Sequence, residues 1–198
     1  MRALAAIALA LAFVPNASAN ESTIVPGVGI GKVKLGMTKA QVERILGGDA
    51  IVNDRSTIGG HAYMELGWNF DARSVGFLLQ NGRYHAVRIG TTEASQRTPE
   101  RVGPGTRWLQ LVKAYPHGLC SWRYTSPYGL VYLVPHKGGT QMLFTLQDYP
   151  PRTATNVTFV VREVVVRTRY QALPEFAPDY EHRCMDGWQT TPKPRPHP

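Results

Sequence analysis

The fold prediction starts from two short stretches of sequence that resemble each other. Residues 35–47 read LGMTKAQVERILG, and residues 104–116 read PGTRWLQLVKAYP. When Gly36 is aligned with Gly105, the apolar positions that follow coincide, and each stretch ends in a residue that breaks helices. The two glycines are 69 residues apart, a spacing that predicts two related units in one chain.

Each stretch has the pattern of a short amphipathic helix. In the first, Thr38 is a good N-cap and Gln41, three residues later, completes a capping box. In the second, Thr106 takes the N-cap position and Trp108 begins an apolar stripe with helical spacing. Helices of about ten residues are marginally stable alone, so we expect each to pack against another element.

Segments of alternating apolar residues follow each helix and predict antiparallel strands. They lie at residues 61–66, 74–80 and 83–90 in the first half, and at 129–134, 140–146 and 157–168 in the second. The sequence therefore predicts an α+β fold of two tandem repeats, each a short helix packed on a three- to four-stranded antiparallel sheet. The helix would cover one sheet face and leave the other free.

The predicted organisation has four parts. Residues 1–19 form a signal peptide, since Arg2 precedes an apolar run and an Ala-Ser-Ala cleavage site. Residues 20–91 and 92–172 are the two repeats, and 173–198 is a Pro-rich tail whose end we expect to be disordered. The residue directly after the cleavage site is Asn20 and not a cysteine that could carry a lipid, and no later segment is long enough to span a bilayer. We therefore expect a secreted or periplasmic protein without a membrane span or lipid anchor.

The chain is basic, with a formal net charge of +8, and most of the excess lies in residues 92–172. An exported protein seldom meets nucleic acid, so we expect no nucleic-acid partner. The charge favours an acidic partner, such as an acidic extracellular enzyme, or an anionic envelope polymer. The alternative is that these cations are ordinary solvated side chains.

Two cysteines occur, Cys120 and Cys184. In an oxidising compartment a disulfide between them is the expected state, because two cysteines do not make a structural zinc site. We predict neither a metal site nor a cofactor.

Catalytic motifs are missing from the sequence. There is no Gly-x-Ser-x-Gly element and no His-Glu-x-x-His, and no two carboxylates can be placed in one cleft from sequence. We therefore expect a protein that is not an enzyme, with a small hydrolase as the weaker alternative.

Aromatic and arginine side chains near predicted turns and strand ends are candidates for partner binding, since these residue types dominate interface energies. The alternative is that the rings close the ends of the sheet core and the arginines are merely solvated. The predicted binding residues are Trp68, Phe70, Asp71, Trp122, Tyr124, Tyr128, Arg167 and Arg169.

Residues 34–47, and especially LGMTKAQV, resemble the repeat-opening motif of the β-lactamase-inhibitory-protein family. They also resemble the single-copy outer-membrane assembly lipoproteins of the SmpA/OmlA type. The first resemblance implies exported tandem repeats whose concave sheet face grips an enzyme, with a hairpin acid and aromatic entering the active site. Residues 68–71, WNFD, stand at the corresponding place, although the order of residue types differs. The sequence also lacks the cysteine pair of each inhibitory repeat and the lipid anchor of the lipoproteins.

Together these features predict an exported, non-enzymatic protein-binding module, with inhibition of an extracellular enzyme such as a β-lactamase as one form of that function. The alternative is a cell-envelope assembly factor or a factor that binds an anionic polymer.

Overall fold

Strands dominate the computed structural model, which describes residues 23–70, 72–123, 129–149, 158–168 and 182–183. Three short strands, β1 (Ile24–Val25), β2 (Gly29–Ile30) and β3 (Val33–Lys34), form a small antiparallel sheet. Two helices are present in the described residues, α1 (Lys39–Leu46) and α2 (Trp108–Ala114). Neither is long and apolar enough to cross a membrane.

The other nine strands form one antiparallel sheet in the order β12-β8-β9-β10-β11-β7-β6-β5-β4. A short 3-10 turn, Lys137–Gly139, connects β9 to β10. The strands are β4 (Ile51–Ile58), β5 (His61–Trp68), β6 (Arg73–Gln80), β7 (Arg83–Thr91), β8 (Leu119–Arg123), β9 (Gly129–His136), β10 (Thr140–Tyr149), β11 (Thr158–Thr168) and β12 (His182–Arg183).

The prediction of an α+β fold with two tandem helix-on-sheet repeats is wrong. The strands of the two halves belong to one mostly β structure, because β7 pairs with β11 in the register Arg88↔Arg167 to Thr91↔Val164. Two separate sheets would have left β7 and β11 as edges with unpaired backbone groups. Pairing them satisfies those groups and gives one continuous sheet.

The two helices begin differently: α1 has a side-chain cap and α2 has none. Thr38 is the N-cap of α1, and the predicted capping box with Gln41 is confirmed. The N-cap of α2 is Arg107 rather than the expected Thr106, and it makes no side-chain capping bond. The hydroxyl of Thr106 is used elsewhere, since it accepts the N–H of Gly103 at 3.0 Å.

Both helices pack on the same face of the nine-stranded sheet, which we call the covered face. Each helix buries one side chain completely, Val42 in α1 and Leu111 in α2. The small sheet contributes Ile24, Ile30 and Val33 to the same core. The strands contribute Met64, Leu66, Trp68, Val75, Phe77, Ala86, Ile89, Tyr132, Val134, Met142, Phe144, Leu146, Val161, Val164 and Val166.

The opposite side of the sheet, which we call the open face, carries two smaller apolar clusters. One consists of Ile58, Tyr63 and Leu78 with Val87 beside them. The other consists of Val131, Leu143 and Val165 with Leu133 beside them. Every member of both clusters lies on a strand of the sheet, so no helix or loop within the described ranges contributes to them.

Candidate functional site

A row of mainly polar residues crosses the open face between its two apolar clusters. Residues opposite each other on neighbouring strands point to the same side of a sheet, so the register defines the row. We call it the polar row; it consists of Gln141, Arg167, Arg88, Gly76, Glu65 and Asp54, on β10, β11, β7, β6, β5 and β4.

Arg88 is the centre of an ionic network on this face. Its Nη1 donates to Glu65 Oε1 at 3.0 Å and to Ser74 Oγ at 2.7 Å, and its Nη2 donates to Glu163 Oε1 at 2.9 Å. Glu65 also accepts the Tyr63 hydroxyl at 2.9 Å. The three charged side chains are only 20–25% exposed, so one guanidinium holds two largely buried carboxylates and links β5, β7 and β11.

Gly90 makes room for this network. A Cβ at position 90 would lie 2.6 Å from both Glu163 Oε1 and Ser74 Oγ, closer than carbon and oxygen can pack. The carboxylate of Glu163 can therefore reach Arg88 because position 90 has no side chain that would block it.

Arg167 lies in the polar row but is not free to bind a partner. It is 5% exposed, and its Nε and Nη2 donate to Gln141 Oε1 at 3.2 and 3.0 Å. The row also contains the carboxylates of Glu65 and Asp54, so it is not a uniformly basic surface. Arg169 lies outside the described residues.

Trp68 belongs to the core rather than to an exposed loop. It is the last residue of β5, is 5% exposed, and donates its Nε1–H to the carbonyl of Gly47 at 3.0 Å. The prediction of Trp68 as an exposed binding residue is therefore wrong, and the alternative that the ring closes the sheet core applies to it.

Phe70 is in the opposite situation, at the turn between β5 and β6. Its side chain is 98% exposed, and its φ of 54° follows a φ of 51° at Asn69. The turn is closed by the N–H of Ala72, which donates to the carbonyl of Asn69 at 3.1 Å. Left-handed backbone is unfavourable for a bulky residue, so this turn presents an apolar ring to solvent at a conformational cost. Asp71, the next predicted site residue, lies outside the described residues.

The predicted site residues of the second half are less completely described. Trp122 lies on β8, opposite Leu130, rather than in a loop, and its side chain is not described. Tyr124 and Tyr128 lie outside the described ranges. Cys120 is opposite His182 of β12, so the chain returns to the strand of Cys120 shortly before Cys184. Cys184 itself is outside the described residues, and the disulfide stays a prediction.

A second group of titratable side chains joins α2 to the end of β9. The Tyr115 hydroxyl donates to Glu100 Oε2 at 2.5 Å, and burial raises the pKa of Tyr115. Burial works to raise the pKa of Glu100, but hydrogen bonds led by that of Tyr115 lower it on balance. Burial lowers the pKa of His136, against the opposing charge of Glu100. A tyrosine with a raised pKa stays protonated and remains a hydrogen-bond donor, here to Glu100.

Sequence reasoning missed the network of Glu65, Ser74, Arg88 and Glu163. Arg88 and Glu163 are 75 residues apart, and only the pairing of β7 with β11 brings them together. The available signal was weak, namely a charged residue between apolar ones within a predicted strand. Within the described ranges, no three His, Cys, Asp or Glu side chains are grouped as a metal site would require.

Comparisons with models of protein families, with curated proteins and with solved structures give no match to this chain. The resemblance of residues 34–47 to the inhibitory-protein family therefore rests on that motif alone.

Proposed function

We propose that the chain is an exported, non-enzymatic protein-binding module that holds its partner with the β5–β6 turn and the adjoining open face. The observation that carries the proposal is Phe70. The ring is 98% exposed and its residue has left-handed backbone, so it does not stabilise the fold. Glycine would suit this backbone conformation better. A partner that covers the ring would make it a binding anchor.

The turn holds the backbone of Phe70 in place. Its two strands pair continuously from Tyr63↔Leu78 to Trp68↔Arg73, and the buried Trp68 fastens the last residue before the turn. A backbone that is already held in place loses little conformational freedom on binding, so more of the burial of its side chain appears as affinity. An anchor of this kind is worth about 2 kcal/mol or more of binding free energy.

The carboxylates of the open face support binding rather than catalysis. Glu65 and Glu163 are brought together, but both accept hydrogen bonds from Arg88, whose guanidinium compensates one of the two negative charges. Flanked by two apolar clusters, the network gives the face the mixture of apolar area and oriented polar groups that protein interfaces use.

The predicted signal peptide supports an extracellular or periplasmic partner. The motif at residues 34–47 resembles that of inhibitory proteins, so one specific form of the proposed function is inhibition of an extracellular enzyme such as a β-lactamase. Inhibition is tested by assaying the β-lactamase activity of the producing cells with increasing amounts of the mature chain. If a saturating amount of the mature chain leaves the β-lactamase activity unchanged, inhibition of that enzyme is contradicted.

Phe70→Gly tests the binding proposal, because glycine accepts the φ of 54° and removes the ring. Leu109→Ala is the matched control, since Leu109 on α2 is also a large apolar side chain, 73% exposed. The immobilised mature protein is incubated with culture fluid and envelope extract of the producing cells. We expect wild type and Leu109→Ala to retain the same protein and Phe70→Gly to lose it.

Retention in about 0.5 M salt distinguishes an aromatic anchor from the binding of an anionic polymer, because charge interactions are screened there. Equal retention by Phe70→Gly and wild type would contradict the proposal, as would the absence of any specifically retained protein.

A further inference from the structure

A cavity of about 400 Å³ lies between residues 100–106 and α2, and it is formed by residues other than those of the turn and the open face. Its neutral lining comes from Val102, Thr106 and Ala114. Glu100, Arg101, Gln110 and Lys113 provide the polar and charged lining.

Arg101 and Lys113 are the cations of this lining, and neither side chain has an ion-pair partner among the residues that the structure describes. Among the other described cations, Arg73 pairs with Glu93 and Arg88 pairs with two glutamates. Two unpaired cations at one cavity form a positive lining that an anionic group would neutralise.

Arg101 is kept at the cavity by a constrained turn. Its φ is 63°, in the left-handed region that favours glycine. The turn is closed by Thr98 N–H donating to the Val102 carbonyl and by Arg101 N–H donating to the Thr98 carbonyl, both at 2.8 Å. Thr98 and Val102 are 4% and 2% exposed, so buried residues anchor both ends. An arginine maintained in an unfavourable backbone conformation points to a use for its side chain.

The remaining groups of the lining fit an acidic ligand. Gln110 and Lys113 are one turn apart on α2, so an amide N–H₂ and an ammonium lie side by side. Glu100 is negative, but its Oε2 accepts the Tyr115 hydroxyl, and the lining is net positive. The planar guanidinium of an arginine binds a carboxylate through two parallel hydrogen bonds.

We propose that this cavity binds a carboxylate of an acidic peptide segment between Arg101 and Lys113. Such a segment would belong to a protein partner, and the site would act independently of the Phe70 turn. The inference does not depend on the proposed function, because peptide binding here can be measured whether or not Phe70 binds anything.

The test uses the full mature chain and two capped tetrapeptides, Glu-Glu-Glu-Glu and Gln-Gln-Gln-Gln, with affinity measured by titration calorimetry. We expect the acidic peptide to bind and the glutamine peptide to bind at least about tenfold more weakly, since it cannot form charge-assisted hydrogen bonds. Arg101→Gly should weaken binding of the acidic peptide about tenfold, and Lys113→Gln should also weaken it.

Two controls keep the result interpretable. Arg101→Gly should not lower the melting temperature, because glycine suits the φ of 63°, so a loss of binding is not a loss of fold. Arg107→Ala removes a nearby exposed cation that does not line the cavity, and it should bind the acidic peptide like wild type.

Unchanged binding by Arg101→Gly would overturn the proposal, as would equal affinity for the two peptides or no binding of the acidic peptide. A titration with inorganic phosphate completes the test. If phosphate binds with the same dependence on Arg101 while the acidic peptide does not, the site takes a phosphate and the carboxylate assignment is wrong.

Discussion

Trp68 and Phe70 are close in the chain, yet their rings have opposite environments, 5% and 98% exposed. Trp68 still belongs to β5 and points to the covered face, opposite Arg73. Phe70 lies beyond the strand, in the turn, where its ring is exposed to solvent. The end of the strand therefore decides which ring stabilises the fold and which is available to a partner.

Substitution of the two rings should separate these roles. Trp68→Ala should lower the free energy of unfolding by about 3–5 kcal/mol, because it leaves a cavity in the core. Trp68→Phe keeps most of the packing and loses the hydrogen bond to Gly47, so it should cost less. Phe70→Ala should change stability by no more than about 0.5 kcal/mol. Urea unfolding of the three variants is the measurement, and a wild-type midpoint for Trp68→Ala would show that the ring is not structural.

At the scale of residues, the exposure of Phe70 agrees with the sequence prediction, because an aromatic beside turn-forming residues is a local signal. Sequence reasoning misplaced Trp68 because the local sequence does not show at which residue β5 ends. It missed Arg88 and Glu163 because their contact requires the register of β7 with β11, which joins distant parts of the chain.

Secondary-structure elements were predicted well where their pattern is local. The capping box of α1 and the cores of β5, β6, β7, β9, β10 and β11 follow from short-range patterns. Strand β4 was missed because seven of its eight residues are exposed, so its sequence, IVNDRSTI, has no apolar alternation. An edge strand exposed on both faces leaves little hydrophobic signal.

The start of β6 is tied to the segment after β7 by a bidentate ion pair. Arg73 donates its Nε and Nη2 to the two carboxylate oxygens of Glu93, at 2.7 and 2.9 Å. These hydrogen bonds lower the pKa of Glu93 from its ordinary value of 4.5, despite the opposing effect of burial. A carboxyl group whose pKa is lowered by folding contributes its full stabilisation at pH values above its ordinary pKa. This stabilisation is lost as the pH falls through the lowered pKa.

Glu93→Gln should therefore reduce the acid sensitivity of the fold. The difference in unfolding free energy between wild type and Glu93→Gln should be largest near neutral pH and shrink as pH falls below 4.5. Urea unfolding of both proteins from pH 7 to pH 3 measures it, and Arg73→Met should behave similarly. If the difference in unfolding free energy stays constant over this pH range, the ion pair of Arg73 and Glu93 is not the cause of the pH dependence.

At the scale of the whole molecule, the pairing of β7 with β11 makes two halves into one sheet. Arg88 and Glu163 bridge the same junction on the open face, and both helices share the core on the covered face. The similarity of residues 35–47 and 104–116 is local: Gly36 and Gly105 both have positive φ, each two residues before an N-cap. Local similarity does not specify which strand edges join, because any exposed edge offers the same backbone groups.

We place partner binding at the β5–β6 turn and on the open face of the sheet, the face opposite the helices. Backbone hydrogen exchange of the mature chain, measured with and without its captured partner, tests this placement most directly. We predict that the partner slows exchange in peptides covering residues 69–72 and leaves α1 and α2 unchanged. Slowing confined to α1 and α2, with the turn exchanging as in the free protein, would contradict the account.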